Sequence, residues 1–255
     1  MLVKSPIDIV IVSYERYAFT SAMLSAIRKY TIDIDYRIIV IDNGSHIDVH
    51  KSLTNDKEKG YIDILVLLDK NYGLEPAKNI GLSLVHSDWY VDTDNDCIPR
   101  PPVGGHSWLI DLLRLKAQNP AYLAISCPPQ VFIGADKKEM FKGAPEVLER
   151  KFVGGSLRLM NTQAVRDVKG WRNNPTNMTE ANRGEEHYIC GKLIKLGYNE
   201  GFAKVGYARD VECFHLFGEE NWGYPQAVEH YHRPQWPIPT DKMFGSLSGW
   251  LKKYE

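Results

Sequence analysis

Four short apolar segments of this chain each run straight into a polar turn, and that repeat decides the architecture. Ile7 to Val12 is largely β-branched, bounded by Pro6 and Ser13, and reads as a mostly buried strand. Tyr36 to Ile41 ends in Asp42-Asn43-Gly44-Ser45, and Ile62 to Leu68 ends in Asp69-Lys70-Asn71-Tyr72-Gly73. Trp89-Tyr90-Val91 ends in Asp92-Thr93-Asp94-Asn95-Asp96. Helical periodicity lies between them. Met23, Leu24, Ile27 and Tyr30 share one face of a helix beginning after the loop Ser13–Arg16. Ala77, Ile80, Gly81, Leu84 and Val85 share another over Glu75 to His86. Strand, helix, strand, strand, helix, strand predicts an α/β protein with a mostly parallel, doubly wound sheet. Such sheets bind ligands beyond the carboxyl ends of their strands, where all four polar turns fall.

The acidic turn carries the chemistry. Alternation places Asp92, Asp94 and Asp96 on one side for as long as the chain stays extended. Like charges that close call for a counter-charge, and a divalent cation supplies it economically. Carboxylates favour Mg²⁺ or Mn²⁺ over zinc, and an ion so held shares its remaining positions with water and substrate phosphates. A cap on the next element is the other reading of the same residues.

Composition excludes little. At 255 residues the chain can bury one large core or two small ones, and a formal net charge of −1 advertises neither nucleic acid nor anionic membrane. The four cysteines have no C-x-x-C spacing, which fits a reduced compartment. The N-terminal apolar run is too short for a signal peptide or a span, so a cytoplasmic protein is expected. No dinucleotide-binding glycine loop follows the first strand, and no Walker loop occurs.

Beyond Pro99-Arg100-Pro101-Pro102 the pattern loosens. A helix is expected over Trp108 to Lys116, and strands over Tyr122 to Cys127 and Phe152 to Met160. Further on, an amphipathic helix over Glu186 to Leu196 stops at Gly197, and a short strand over Val211 to Leu216 carries His215. The tail, with Trp222, Tyr224, His230, Tyr231, His232 and Trp236, has no period and reads as a packed lid or an aromatic sugar- or base-stacking surface.

The ordered landmarks "VSYER", "VIDNGS", "KNYGLEPAKNIGL" and "DNDCIP" resemble those of metal-dependent nucleotide-sugar glycosyltransferases of the GT-A fold, above all the family-2 group. Gly154-Gly155, Gly170-Trp171, Gly184-Glu185-Glu186, Gly197-Tyr198 and His215 match that family's later landmarks, and the resemblance covers Ile7 to Leu216. It implies a GT-A-like, Rossmann-type sheet with helices on both faces. Residues 1–100 form the nucleotide-sugar half, 101–216 the acceptor and catalytic half, and 217–255 a C-terminal lid.

The resemblance also implies roles. Asp96 is the direct metal ligand, Asp94 contacts the donor ribose or a metal-bound water, and His215 completes the metal shell. Asp92 stands where relatives have an apolar residue, and it serves either as a supporting group or as the start of a shifted acidic motif. Glu186 occupies the catalytic aspartate's place in the G-E-D triplet, one methylene longer, and is the expected general base. Glu185 binds the acceptor or substitutes as base; both also suit a helix N-terminus. Ser13, Tyr14 and Glu15 surround the nucleobase, and Asp42 bonds its edge. Lys78 approaches the diphosphate or nucleoside, while Asn71, Gly73 and Asn79 shape the loop or cap the helix.

The expected function is metal-dependent, inverting transfer from a nucleotide sugar, a UDP-sugar by preference, to an acceptor hydroxyl. A glycan, a lipid-linked sugar or a protein could be the acceptor, with a hydroxymethylated base in DNA as the remoter option. The rival is a non-catalytic nucleotide-sugar or carbohydrate-binding protein on the same fold, supported by the Glu-for-Asp departure at Glu186.

Overall fold

The computed structural model describes residues 6–128, 145–173, 184–197, 203–216 and 251–254. The aromatic and His-rich tail residues, and Tyr198 of the expected Gly-Tyr turn, lie outside them. The first half comprises β1 (Ile7–Ser13), α1 (Tyr17–Tyr30), β2 (Tyr36–Asp42), α2 (Ile47–Glu58), β3 (Ile64–Leu67), α3 (Leu74–Leu84) and β4 (Trp89–Asp94). The second comprises β5 (Cys97–Pro99), α4 (Trp108–Gln118), β6 (Tyr122–Ser126), β7 (Val147–Arg150), β8 (Arg158–Asn161), α5 (Thr162–Asp167), α6 (Glu185–Lys195), β9 (Lys204–Ala208) and β10 (Cys213–His215).

One sheet in the order β3-β2-β1-β4-β8-β6-β9-β7 holds the fold together. Strands β3, β2, β1 and β4 are mutually parallel, and β6 and β9 run the same way; β8 and β7 run against them. Alternation along each strand feeds two cores. Ile7, Ile9, Ile11, Ile38, Val40 and Val91 face α1 and α4, meeting Met23, Leu24, Ile27, Trp108 and Leu112. Val10, Val12, Ile39, Ile41 and Tyr90 face α3, α5 and α6, meeting Ala77, Ala164, Val165, Ile189 and Leu193. Each fully buried aliphatic contributes about 1.5–3 kcal/mol. Helix α3 sits so close to β1 that a Cβ on Gly81 would lie 2.3 Å from Val10 Cγ1. Helices therefore cover both faces, as expected. No helix among the described residues is long and apolar enough to cross a membrane.

Several elements differ from the sequence expectation. Helix α2 was not expected. It is polar nearly all round, burying only Leu53 and Asp56, so no apolar stripe announces it. Parallel β2 and β3 need such a crossover. The strand expected over Phe152 to Met160 is real only from Arg158. Residues 152–157 form a loop, with Leu157 at φ +48°. Side chains satisfy much of its backbone: Tyr207 Oη accepts from Gly154 N at 2.9 Å, and Ser126 Oγ donates to Gly154 O at 2.9 Å. Strand β9 escaped notice because Gly206 interrupts it. A Cβ there would meet Leu148 O and Tyr122 Cε1 at 2.7 Å. Strands β5 and β10 form a separate two-stranded ribbon that sets His215 opposite Cys97.

Candidate active site

Register brings the polar turns to one edge: Ser13 pairs with Asp42, Val12 with Asp94, and Asp42 with Leu67. Asp92 and Asp94 share a face of β4, and the Lys78 ammonium reaches both, at 3.0 and 3.4 Å. The extended chain ends there. Asn95 and Asp96 turn into β5, so Asp96 departs from the one-sided row expected. Its Oδ2 accepts from Arg16 at 3.0 Å, and its Oδ1 lies 3.5 Å from His215 Nε2 and 3.7 Å from Cys97 Sγ. Burial opposes the Asp96 charge, but His215 and Arg16 outweigh it and lower its pKa. Asp94 goes the other way: burial, only partly offset by Lys78, raises its pKa. The Asp94 side chain is 34% exposed overall, yet its Oδ1 is buried and lacks a hydrogen-bond partner.

Beneath this turn lies a buried ion cluster. Arg158 pairs with Asp92 at 2.5 Å, lies 3.5 Å from Glu185 Oε2, and donates to Val153 O at 3.0 Å. Lys78 donates to Glu185 Oε1 at 3.0 Å, and Trp171 Nε1 donates to Oε2 at 2.8 Å. Asp92 therefore has a definite role, as the carboxylate that lets Arg158 be buried in an apolar strand. Burial opposes Glu185 ionisation, but Lys78 and Arg158 prevail and hold its pKa down at about 2. Glu185 is buried and bonded through both oxygens, to Lys78 and to Trp171. The structure thus places Glu185, expected to contact the acceptor or serve as the alternative base, inside the ion cluster.

Glu186 is different. Gly184, at φ +107°, turns the chain into α6, and Glu186 follows in the first helical turn, half-buried. Among the described residues its carboxylate makes no hydrogen bond or ion pair. Burial raises its pKa, and the neighbouring charges of Glu185 and Asp94 raise it further. The surroundings thus push the two adjacent glutamates in opposite directions, lowering the pKa of Glu185 and raising that of Glu186.

The expected donor residues divide. Tyr14 and Glu15 are partly exposed, with Glu15 at φ +57° and its Oε1 accepting from His46 N at 2.8 Å. Asn71 is exposed and accepts from Asn43 and from Gly73 N, at 3.0 and 2.8 Å; Gly73 opens α3 at φ +95°. Ser13 is buried against Thr20, their hydroxyls 2.9 Å apart. Asp42 is wholly buried, not an exposed turn residue: Ser45 N, Ser45 Oγ and His50 Nε2 take its oxygens at 2.9, 2.6 and 2.9 Å. Lys78 is fully buried and its ammonium is surrounded by the carboxylates of Asp92, Asp94 and Glu185. Asn79 spends its amide on the Trp171 backbone, at 3.0 and 2.9 Å, which makes it a clamp between α3 and the Gly170-Trp171 turn.

Sequence reasoning missed Arg16 as the partner of Asp96, and Arg158 and Trp171 as supports of the cluster. Arg158 had a signal, an arginine inside the apolar run Leu157–Met160. Gly155 brings its backbone close against the cluster. A Cβ on it would meet Asp94 Oδ2 at 3.0 Å and Lys78 Nζ at 3.2 Å.

With this geometry in hand, comparison with known proteins decides the family. The model for glycosyl transferase family 2 matches residues 8–171. The chain belongs to that family. Chondroitin synthase from Escherichia coli is 24% identical over 241 residues, covering 88% of this chain and 32% of its own length. The mannosyltransferase PcManGT from Pyrobaculum calidifontis, in complex with GDP-Man and Mn²⁺, superposes with a TM-score of 0.64 at 16% identity, covering 85% of this chain and 58% of its own. GalNAc-T7 with UDP, GalNAc and Mn²⁺ gives 0.61 at 13% identity over 82% and 43%. TarS of S. aureus, in complex with UDP-GlcNAc, gives 0.59 at 11% identity over 82% and 57%. This family-2 chain has the GT-A fold. It spans about a third of the chondroitin synthase and little over half of the mannosyltransferase.

Proposed function

We propose that this family-2 chain is a metal-dependent glycosyltransferase that moves a sugar from a nucleotide donor to an acceptor hydroxyl with inversion. The observation that carries the reading is the split between Glu185 and Glu186. A half-buried carboxylate with raised proton affinity and no partner among the described residues, beside a buried ion cluster, suits general-base removal of a hydroxyl proton.

The acidic turn fits a divalent ion. Asp94 Oδ1 is a buried oxygen with no hydrogen bond, and Asp96 Oδ1 lies beside a histidine nitrogen. Asp94, Asp96 and His215 would hold Mg²⁺ or Mn²⁺; two structural relatives are complexes with Mn²⁺. The ion would stabilise the negative charge that develops on a departing nucleoside diphosphate. Arg16 neutralises the other oxygen of Asp96 and fixes its orientation. Lys78 and Arg158 position Glu185, and through it the first turn of α6 that carries Glu186.

Donor binding falls to residues 1–100. Tyr14, Glu15, Asn71 and Gly73 offer accessible groups at the sheet edge, with Ser13, Asp42 and Asn79 shaping the walls behind them. GalNAc-T7 and TarS are both seen with UDP or a UDP-sugar, which supports a UDP-linked donor. The likeness to a chondroitin synthase favours a glycan acceptor.

The test is release of UDP from a panel of UDP-sugars, with Mn²⁺ and after chelation. Slow, metal-dependent hydrolysis is expected. Asp96→Ala should abolish it and remove the metal dependence of UDP-sugar binding, because a charge at the ion is lost. A variant that binds and hydrolyses donor like the parent would reduce the acidic turn to a structural cap.

A further inference from the structure

The metal reading above leaves one neighbour unused. Cys97 follows Asp96 directly, is fully buried, and points its Sγ at the same Asp96 Oδ1 that faces His215. The β5–β10 ribbon enforces this meeting, because its register sets His215 opposite Cys97. Three ligand atoms of three kinds, carboxylate oxygen, thiol sulfur and imidazole nitrogen, lie within 4.8 Å of one another.

We propose that Asp96, Cys97 and His215 form a thiolate-containing site for Zn²⁺ or a similarly thiophilic divalent ion, overlapping the oxygen-rich site used in sugar transfer. The inference rests on the metal site described under the proposed function, and adds to it a cysteine that a hard ion does not need.

Spacing supports the assignment. Tetrahedral bonds of about 2.3 Å to sulfur, 2.05 Å to nitrogen and 2.1 Å to oxygen separate sulfur from oxygen by about 3.6 Å, and nitrogen from oxygen by about 3.4 Å. The structure has 3.7 and 3.5 Å. Octahedral bonds of about 2.1 Å to a hard ion require neighbouring ligands only about 3.0 Å apart. Two of the three spacings are therefore nearer to a tetrahedral N/S/O shell, the sulfur and nitrogen lying within 4.8 Å of each other, with no fourth ligand among the described residues. Coordination releases the thiol proton to solvent, and the thiolate, with the Asp96 carboxylate shared with Arg16, offsets most of a dication's charge. Arg16 stays on the opposite oxygen of Asp96. Access is through His215, whose side chain is 22% exposed.

Because Asp96 and His215 serve both shells, the two ions exclude one another. Zn²⁺ should then displace Mn²⁺ and suppress Mn²⁺-supported donor turnover.

Co²⁺ added to the chelated full chain is the probe, read by absorption. One Co²⁺ per chain is expected, with a thiolate-to-cobalt charge-transfer band in the near ultraviolet and the strong visible bands of a tetrahedral ion. Zn²⁺ should bleach both. Cys97→Ser should lose the near-ultraviolet band, and its Zn²⁺ affinity should fall by more than the about 10–100-fold typical of losing a supporting partner. Cys213→Ser, which alters the neighbouring buried thiol, should keep the band. Should Cys97→Ser fail to fold, His215→Ala carries the test, because it keeps the thiol and should lose the tetrahedral visible intensity. A parent protein that binds Mn²⁺ and hydrolyses donor, yet gives no charge-transfer band with Co²⁺, overturns this site and leaves the transferase reading intact. A band without any donor hydrolysis does the reverse. A band that survives Cys97→Ser and vanishes in Cys213→Ser assigns the thiol elsewhere and also refutes the proposal.

Discussion

Arg158→Met is the perturbation that probes the buried cluster most sharply. Arg158 is fully buried and joins Asp92, Glu185 and the carbonyl of Val153. Methionine keeps much of its length and apolar packing but removes the charge. Asp92 Oδ1 already lacks a hydrogen bond, so Oδ2 would be left with Lys78 alone. Removing one partner of a buried ion pair typically costs about 3–5 kcal/mol. Against a total stability of about 5–15 kcal/mol, that is a large share. At about 2–4 °C per kcal/mol for a chain of this size, the midpoint should fall by roughly 6–20 °C. Urea and thermal unfolding at neutral pH measure it. Adding Asp92→Val should restore part of the loss, because replacing a buried pair by apolar side chains is often neutral. A single Arg158→Met variant less than about 1 kcal/mol below the parent, or a double variant that is simply additive, would show that the cluster is not a coupled unit.

The low pKa of Glu185 makes stability depend on pH. Its folded value of about 2 lies below the ordinary 4.5, so its contribution is complete above pH 4.5 and disappears as pH falls through about 2. Those 2.5 units correspond to about 3 kcal/mol, and Glu185→Gln should flatten the acid limb of an unfolding-versus-pH curve. Asp42→Ala should lower stability by about 1–3 kcal/mol in urea unfolding, because Ser45 and His50 lose a buried acceptor. Unchanged stability would mean that the turn tolerates the loss of its centre.

Much of the first half was legible because its strands alternate between two apolar cores and stop at polar turns. Asp42, Asn71 and Gly73 marked turns that the fold does use. Helix α2 was illegible because it buries so little, and β9 because Gly206 serves a close contact in place of strand propensity. The site was readable as a set of residue types and far less as a set of partners. Asp92 broke the apolar pattern, but nothing local tied it to Arg158, which lies on an antiparallel neighbour 66 residues away. Adjacent Glu185 and Glu186 look alike in sequence. Only the placement of Lys78, Arg158 and Trp171 around the first of them separates their chemistry. Lys78 was read as a ligand group for the ordinary reason that a cation near a phosphate site suggests one, and nothing local announced its pairing with Asp92, Asp94 and Glu185.

Glu186 is the residue on which proton removal from the acceptor depends. Glu186→Gln preserves size and polarity but cannot accept a proton at neutral pH. General-base catalysis contributes about 10²–10⁴-fold, so sugar transfer under saturating donor and Mn²⁺ should drop by that order while donor affinity barely moves. The parent's rate should fall as pH drops through the raised pKa of this carboxylate, and the variant's pH–rate profile should lose that limb. Full transfer activity in Glu186→Gln, with the acidic limb intact, would contradict the assignment of the base and with it the proposed chemistry of the site.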